Sequence, residues 1–435
     1  MWAYESVFYQ IYPLGFCSAP YENDGVLEHR ILKVLEWEKH IKKLGCNAIY
    51  FSPVFESDTH GYNTRDYTKI DTRLGTNEDF VKVVKDLHKN DIKVILDGVF
   101  NHVGRGFWAF QDVIKNRWDS KYKDWFSINF DGNSNYNDGL WYEGWEGNYD
   151  LVKLNLRNEE VIQHIFSAVK GWVEEFDIDG LRLDVAYCLD KDFLRRLREF
   201  TGGLKEDFFI VGETLHGDYN QWMNDQACHS VTNYECYKGL HSSFNSLNLY
   251  EIMYSINRQF GAEQWTLYKG KHLLSFVDNH DVSRIASVLT NEKHLPLIYA
   301  LMFAMPGIPI IYYGSEWGTK ADKSQGDPAL RVSFEKPEWN ELTDYIQKLC
   351  EIEKESKALQ YGGYKNLAQT NRQVVFEREF EDERIMIAIN ADENEFTAHF
   401  DARAGRAHDL ITGETVDFGG GLRIPGYTAM ILKPF

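Results

Sequence analysis

The sequence predicts an α/β protein: a closed (β/α)8 TIM barrel, an inserted subdomain after the third strand, and a C-terminal antiparallel β-sandwich. Three observations carry this. Eight apolar, β-branched or aromatic segments are interleaved with helical patterns, which favours a parallel sheet. Their spacing suits βαβ units of about 30 residues or more. Polar residues also gather at the C-terminal ends of the segments, the face where barrel sites are built.

In order, the strands are expected at 7–13, 47–55, 92–100, 178–186, 207–213, 229–235, 272–280 and 308–314. Before the third, Phe80, Val83, Val84 and Leu87 recur at helical spacing and Asn77 is the expected cap. Asp184 and Glu213 lie about one unit apart, and Glu213 and Asp281 about two. Asp97 and Asp184 are too distant for a single step, so roughly 50 residues are inserted between them. The barrel is therefore expected over 1–102 and 156–357, with the Trp-, Tyr-, Gly- and Asn-rich insertion at 103–155. Short strands and turns after Lys357 predict the β-sandwich at 358–435.

Bulk properties narrow the function. A net charge of −19 disfavours nucleic acid. The 12 Trp and 25 Tyr suit the flat C–H faces of sugars, though a large aromatic core would use them too. The six cysteines show no CxxC or CxxH spacing, so they read as free thiols of a reducing compartment. No basic and apolar leader opens the chain, and no apolar run reaches about 18 residues. The expected compartment is the cytoplasm, without membrane contact.

Arg182 and Asp184 interrupt "GLRLDVA", an otherwise apolar strand. Alternation along the strand puts both toward the barrel lumen and sends Leu181, Leu183 and Val185 outward. With Asp97, Asn101, His102, Glu213, His280 and Asp281, these residues converge on one mouth. Paired carboxylates at such a site suit glycosidic chemistry, where one must be ionised and the other protonated. Arg182 should keep Asp184 ionised, while the negative charges of Asp184 and Asp281 should keep Glu213 protonated.

"DGVFNH" (97–102), "GLRLDVA" (180–186), "VGET" (211–214) and "FVDNHD" (276–281) resemble, in order and spacing, the four signature regions of the α-amylase superfamily, glycoside hydrolase family 13. "HGYNTRDY" (60–67) and "YYGSEWG" (312–318) extend the resemblance. It implies a nucleophile at Asp184, a general acid/base at Glu213 and a third carboxylate at Asp281. It further implies substrate contacts from Tyr62, His102, Arg182, His280 and Arg284. Asp97 and Asn101 are expected as structural support, and Glu316 and Asp327 as ion-pair or substrate positions. No cofactor is required. Calcium is possible at "YENDG" (21–25) or "NFDGNSNYND" (129–138), although neither matches an EF-hand and such loops often serve as turns.

"LVKLN" (151–155) is similar to the "MPKLN" signature of the neopullulanase, cyclomaltodextrinase and maltogenic amylase group. Leu215, Tyr187, Asn63 and Val152 depart from that group's usual residues. Its N-terminal β domain is not expected, because the first strand starts near Val7, and a monomer or weak dimer is expected. The resemblance thus implies retaining cleavage of α-1,4 bonds in maltooligosaccharides, cyclodextrins or starch. The alternatives are an exo-acting α-glucosidase, an oligo-1,6-glucosidase or a transglycosylase. A non-catalytic barrel, the contrasting class, would have lost the three acids that this chain retains.

Overall fold

A computed structural model describes residues 1–435. Eight parallel strands form the barrel: β1 (Phe8–Ile11), β2 (Ala48–Phe51), β3 (Lys93–Gly98), β4 (Gly180–Leu183), β5 (Phe209–Gly212), β6 (Ser230–Val231), β7 (Leu274–Ser275) and β8 (Ile308–Tyr312). They pair in the order β6-β5-β4-β3-β2-β1-β8-β7. A parallel bridge between Thr232 and Leu274 closes the ring.

The surrounding helices are α1 (Lys33–Leu44), α2 (Asn77–Lys89), α3 (Glu159–Phe176), α4 (Lys191–Leu204), α5 (Tyr234–Asn245), α6 (Tyr250–Phe260), α7 (Leu295–Ala304) and α8 (Glu341–Glu355). Strict alternation fails once. Between β5 and β6 the chain makes only a 3-10 turn at Tyr219–Gln221, and two helices follow β6 instead. The cap of α2 also differs from expectation. Thr76 caps it, in a reciprocal pair with Asp79. Asn77 instead ties the preceding strand to the helix, accepting from Ile70 N and donating to Thr68 O.

The lumen is layered. Phe8, Tyr50, Ile95, Phe209, Val211 and Ile310 fill it with an apolar plug, and the N-terminal turn Trp2–Glu5 packs beneath. Gly180 points inward where a Cβ would lie 2.3 Å from Phe209 O and 2.9 Å from the Ile95 side chain. This leaves room for the next inward residue, Arg182. Leu181 and Leu183 are fully buried in the outer core against the helices.

Val185 does not continue that outward row. The strand ends at Leu183 and Val185 adopts a left-handed conformation with φ 39°. This conformation is strained for a β-branched residue. It turns the Val185 N–H onto Glu213 at 2.9 Å.

The segment after β3 is anchored at both ends by one antiparallel pair, His102–Gly104 against Asn148–Lys153. The C-terminal region is a six-stranded antiparallel sheet covered by a two-stranded ribbon of Phe396–Ala398 and Leu422–Ile424. One sheet face, with Val374, Phe376, Ile385 and Ile387, joins the main core. The other, with Met386, Ala388 and Leu432, packs under the ribbon. No helix is long and apolar enough to cross a membrane.

Candidate active site

Strands β3, β4, β5 and β7 deliver their polar ends to one cleft of about 500 Å³. Asp184, Glu213 and Asp281 line it, with Tyr62, His102 and Trp145 among their neighbours. Beneath it, Arg182 is almost fully buried and holds three carboxylates. Its Nη1 lies 2.9 Å from Asp97 and 2.9 Å from Asp184, and its Nη2 2.9 Å from Glu213.

Arg182 thus serves Glu213 as well as Asp184, where only its support of Asp184 was expected. Burial pushes the Asp184 carboxyl well up; Arg182 pulls it down, and the charges of Glu213 and Asp97 push it up again. Glu213 is also raised, by burial first and then by Asp281, against the pull of Arg182. One positive charge among three buried carboxyls leaves the Asp184–Glu213 pair holding on to a proton. Asp281 behaves oppositely. Burial pushes it up, but its contacts with His280 at 3.0 Å and Arg331 at 2.8 Å outweigh that and hold it well below the usual carboxylate range.

Asp97 accepts hydrogen bonds from Tyr50 at 2.6 Å and Tyr62 at 3.0 Å, so it anchors both Arg182 and the Tyr62 ring. His280 does not line the cleft. Its Nδ1 meets Gln10 Nε2 at 2.8 Å, its Nε2 lies between Tyr62 and Asp281, and its ring stacks on Tyr62 at 5.6 Å. Asn101 donates to His102 Nδ1 at 3.2 Å and holds Leu154 N through its carbonyl. The proton of His102 is thereby assigned to Nε2, which is buried and unpartnered and lies 3.8 Å from Asp184. Burial lowers the His102 pKa to about 3, so this neutral ring offers one free N–H to a ligand.

Arg284 is a correction. It is fully buried and donates to Tyr313 O, Ser315 Oγ and Leu330 O, so it braces the loop after β8 and does not reach the cleft. The arginine at the cleft is Arg331, which also lies 3.3 Å from Asp327. Glu316 is likewise internal, bonded to Tyr9, His40 and Gly314 N. Asp327, in contrast, lines the cleft. Sequence reasoning missed Arg331 and Trp145. "DPALR" (327–331) offered only a short turn, and Trp145 was one of several tryptophans in the irregular insertion.

A larger cleft of about 920 Å³ lies between the insertion and the loop after β4, and none of the three acids lines it. Four of its six charged side chains pair with one another, Glu143 with Lys153 and Arg157 with Asp190.

In both loops where calcium was expected as possible, arginines already take some of the oxygens. In the first, Tyr21 O accepts from Arg73, and in the second Asp138 Oδ2 accepts from Arg105 and Asp138 O from Arg117. No cluster of three His, Cys, Asp or Glu side chains suits a metal.

The family model described as "Alpha amylase, catalytic domain" matches residues 10–373. The chain belongs to the alpha-amylase family. It is 31% identical to a cyclomaltodextrinase of Thermoanaerobacter pseudethanolicus, over 99% of this chain and 78% of that one. It is 30% identical to a maltogenic alpha-amylase of Bacillus acidopullulyticus, over 95% and 74%. Among solved structures, the cyclic alpha-maltosyl-(1→6)-maltose hydrolase of Arthrobacter globiformis, in complex with its cyclic ligand, superposes with a TM-score of 0.83. The two are 27% identical, over 99% of both chains. The chain is thus an alpha-amylase-type glycosidase, and the three acids of its signature regions share one cleft.

Proposed function

We propose that this alpha-amylase family member cleaves α-1,4-glucosidic bonds of maltooligosaccharides, cyclodextrins or starch-type glucans with retention, through a covalent glycosyl-enzyme. The observation that carries this reading is Arg182 bound at 2.9 Å to both Asp184 and Glu213 beneath the cleft. The buried pair retains a proton. It is assigned to Glu213, because ionised Asp281 faces that residue and opposes a second negative charge.

In the first step the Asp184 carboxylate attacks C1 of the bound glucosyl unit while Glu213 passes its proton to the departing glycosidic oxygen. In the second, the Glu213 carboxylate takes a proton from water, and the resulting oxygen nucleophile displaces Asp184 from C1. Two inversions at C1 give net retention. Asp281, kept ionised by Arg331 and His280, accepts sugar hydroxyls as the ring flattens. The free Nε2–H of His102 donates to another, and Tyr62, held by Asp97, offers its face to the ring.

The substrate class is supported by two relatives, a cyclomaltodextrinase and a maltogenic alpha-amylase. The wall near Glu213 is largely apolar, with Val185, Tyr187, Leu215 and Trp145. It suits a leaving sugar and also a sugar acceptor in place of water.

Proton NMR of fresh maltoheptaose digests tests the reading. The first product is expected as the α-anomer. Initial β-anomer would overturn retention, and no cleavage of any linear or cyclic α-1,4-glucan would overturn the substrate class.

A further inference from the structure

Strand β1 turns an amide into the barrel lumen. Phe8 belongs to the apolar plug, and Tyr9 and Ile11 to the outer core. Alternation therefore sends Gln10 inward above Phe8, where it is almost fully buried. A buried amide is kept where its hydrogen bonds are met. Gln10 Nε2 donates to Ser52 Oγ at 3.1 Å and lies 2.8 Å from Nδ1 of His280, 270 residues along the chain.

The other ring nitrogen decides the direction of that bond. His280 Nε2 lies 3.0 Å from Asp281 Oδ2 and 2.5 Å from the Tyr62 oxygen. Asp281 stays ionised, so its oxygens only accept. Tyr62 sends its single proton to Asp97 at 3.0 Å, so its oxygen accepts as well. Facing two acceptors, Nε2 must carry a proton. With the Gln10 amide nitrogen presented to it, Nδ1 accepts, and the ring holds one proton only. The tautomer is assigned from this network. Near-parallel rings of Tyr12 at 5.9 Å and Tyr62 at 5.6 Å keep the imidazole in its plane. A ring with one proton gives Asp281 a hydrogen bond without a full positive charge. The Asp281 charge thereby stays available to a cationic sugar ring in the transition state.

We infer that Gln10 is a positioning residue: its amide N–H fixes His280 as an Nε2–H donor, and through that donor it orients the Asp281 carboxylate and the Tyr62 ring. For its effect on rate the inference rests on the glucan-hydrolase reading above; for the tautomer it rests on the hydrogen-bond geometry alone.

Nitrogen-15 NMR of the histidine-labelled protein reads the ring directly, with His280→Asn identifying its signals among the 14 histidines. Near neutral pH the wild type is expected to show a protonated Nε2 and a bare Nδ1. A protonated Nδ1 in the wild type overturns the assignment without recourse to any variant. Gln10→Glu presents a carboxylate to Nδ1 and should protonate both nitrogens. On maltoheptaose its kcat should fall about tenfold with KM changed less than about twofold, because Asp281 tightens on the sugar only in the transition state. A folded Gln10→Glu with kcat within about twofold of wild type overturns the positioning role. Should that variant not fold, Gln10→Met, which drops the donor and keeps the length, is held to the same kcat limit. Wild type inactive on every α-glucan overturns the hydrolase reading, while the nitrogen pattern still decides the tautomer by itself.

Discussion

Arg182 reaches Glu213 at 2.9 Å, as closely as it reaches Asp184. The arginine is therefore a hub beneath two acids for which opposite duties are proposed. Arg182→Lys keeps the charge but loses the planar fork that spans them. We expect kcat to fall at least 100-fold, with the pH optimum displaced and the melting temperature changed less than in Arg182→Met. Steady-state kinetics across pH, with thermal melts, check this.

Asp184→Asn and Glu213→Gln should each lower kcat by three orders of magnitude or more while the fold survives. Circular dichroism and kinetics on maltotriose decide it. Substantial turnover in Asp184→Asn would sink the nucleophile assignment.

The pH profile follows from the raised pair. Burial pushes both Asp184 and Glu213 above the ordinary carboxylate range. The active form holds one proton between them, so both limbs of the kcat/KM bell lie above the unperturbed values of about 3.9 and 4.3. Asp281, held far below, contributes to neither limb. An acid limb at or below pH 4 would contradict this.

Arg284 and Arg331 should separate cleanly. Arg284→Met removes three buried hydrogen bonds, so it should lower the melting temperature by several degrees. Arg331→Met frees Asp281 at the cleft and should lower kcat/KM at least tenfold with a smaller loss of stability. Melting curves and kinetics on the same two variants provide the check.

Glu353, on α8 at the sheet interface, carries two buried oxygens without partners. Burial pushes its carboxyl up to about 8 against the pull of Arg378. The folded value exceeds the unfolded one, so the protonated acid favours the fold. That stability is fully present below about pH 4.3 and is lost as pH rises toward 8. The loss is on the order of a few kcal/mol. Glu353→Gln should flatten this slope and raise the melting temperature by a few degrees at pH 8.5 relative to wild type. Melts at pH 5.5 and 8.5 test it.

Much of this was legible in the chain. Period-two alternation placed Arg182 and Asp184 inward with Gly180, because strand geometry depends on neighbours a few residues away. The acids at the strand ends were readable because a barrel sends all those ends to one face. The places where reading stopped are specific. The alternation breaks at Val185, whose left-handed turn brings its N–H onto Glu213, a residue far along the chain. Thr76 and Asn77 could each cap α2, and the reciprocal bond with Asp79 chose Thr76.

By itself, then, the sequence determined the barrel and the family, and it picked out three acids that the fold brings to one cleft. These depend on local periodicity and on residue types at set spacings. Only the tertiary structure decided that Arg331 and not Arg284 reaches the cleft, since both are arginines in polar loops and their depth depends on packing between distant segments. It alone decided that Arg182 is shared among Asp97, Asp184 and Glu213, and that Gln10 meets His280. Contacts between residues far apart in the chain set charge sharing and cavity shape, and no one-dimensional pattern records them.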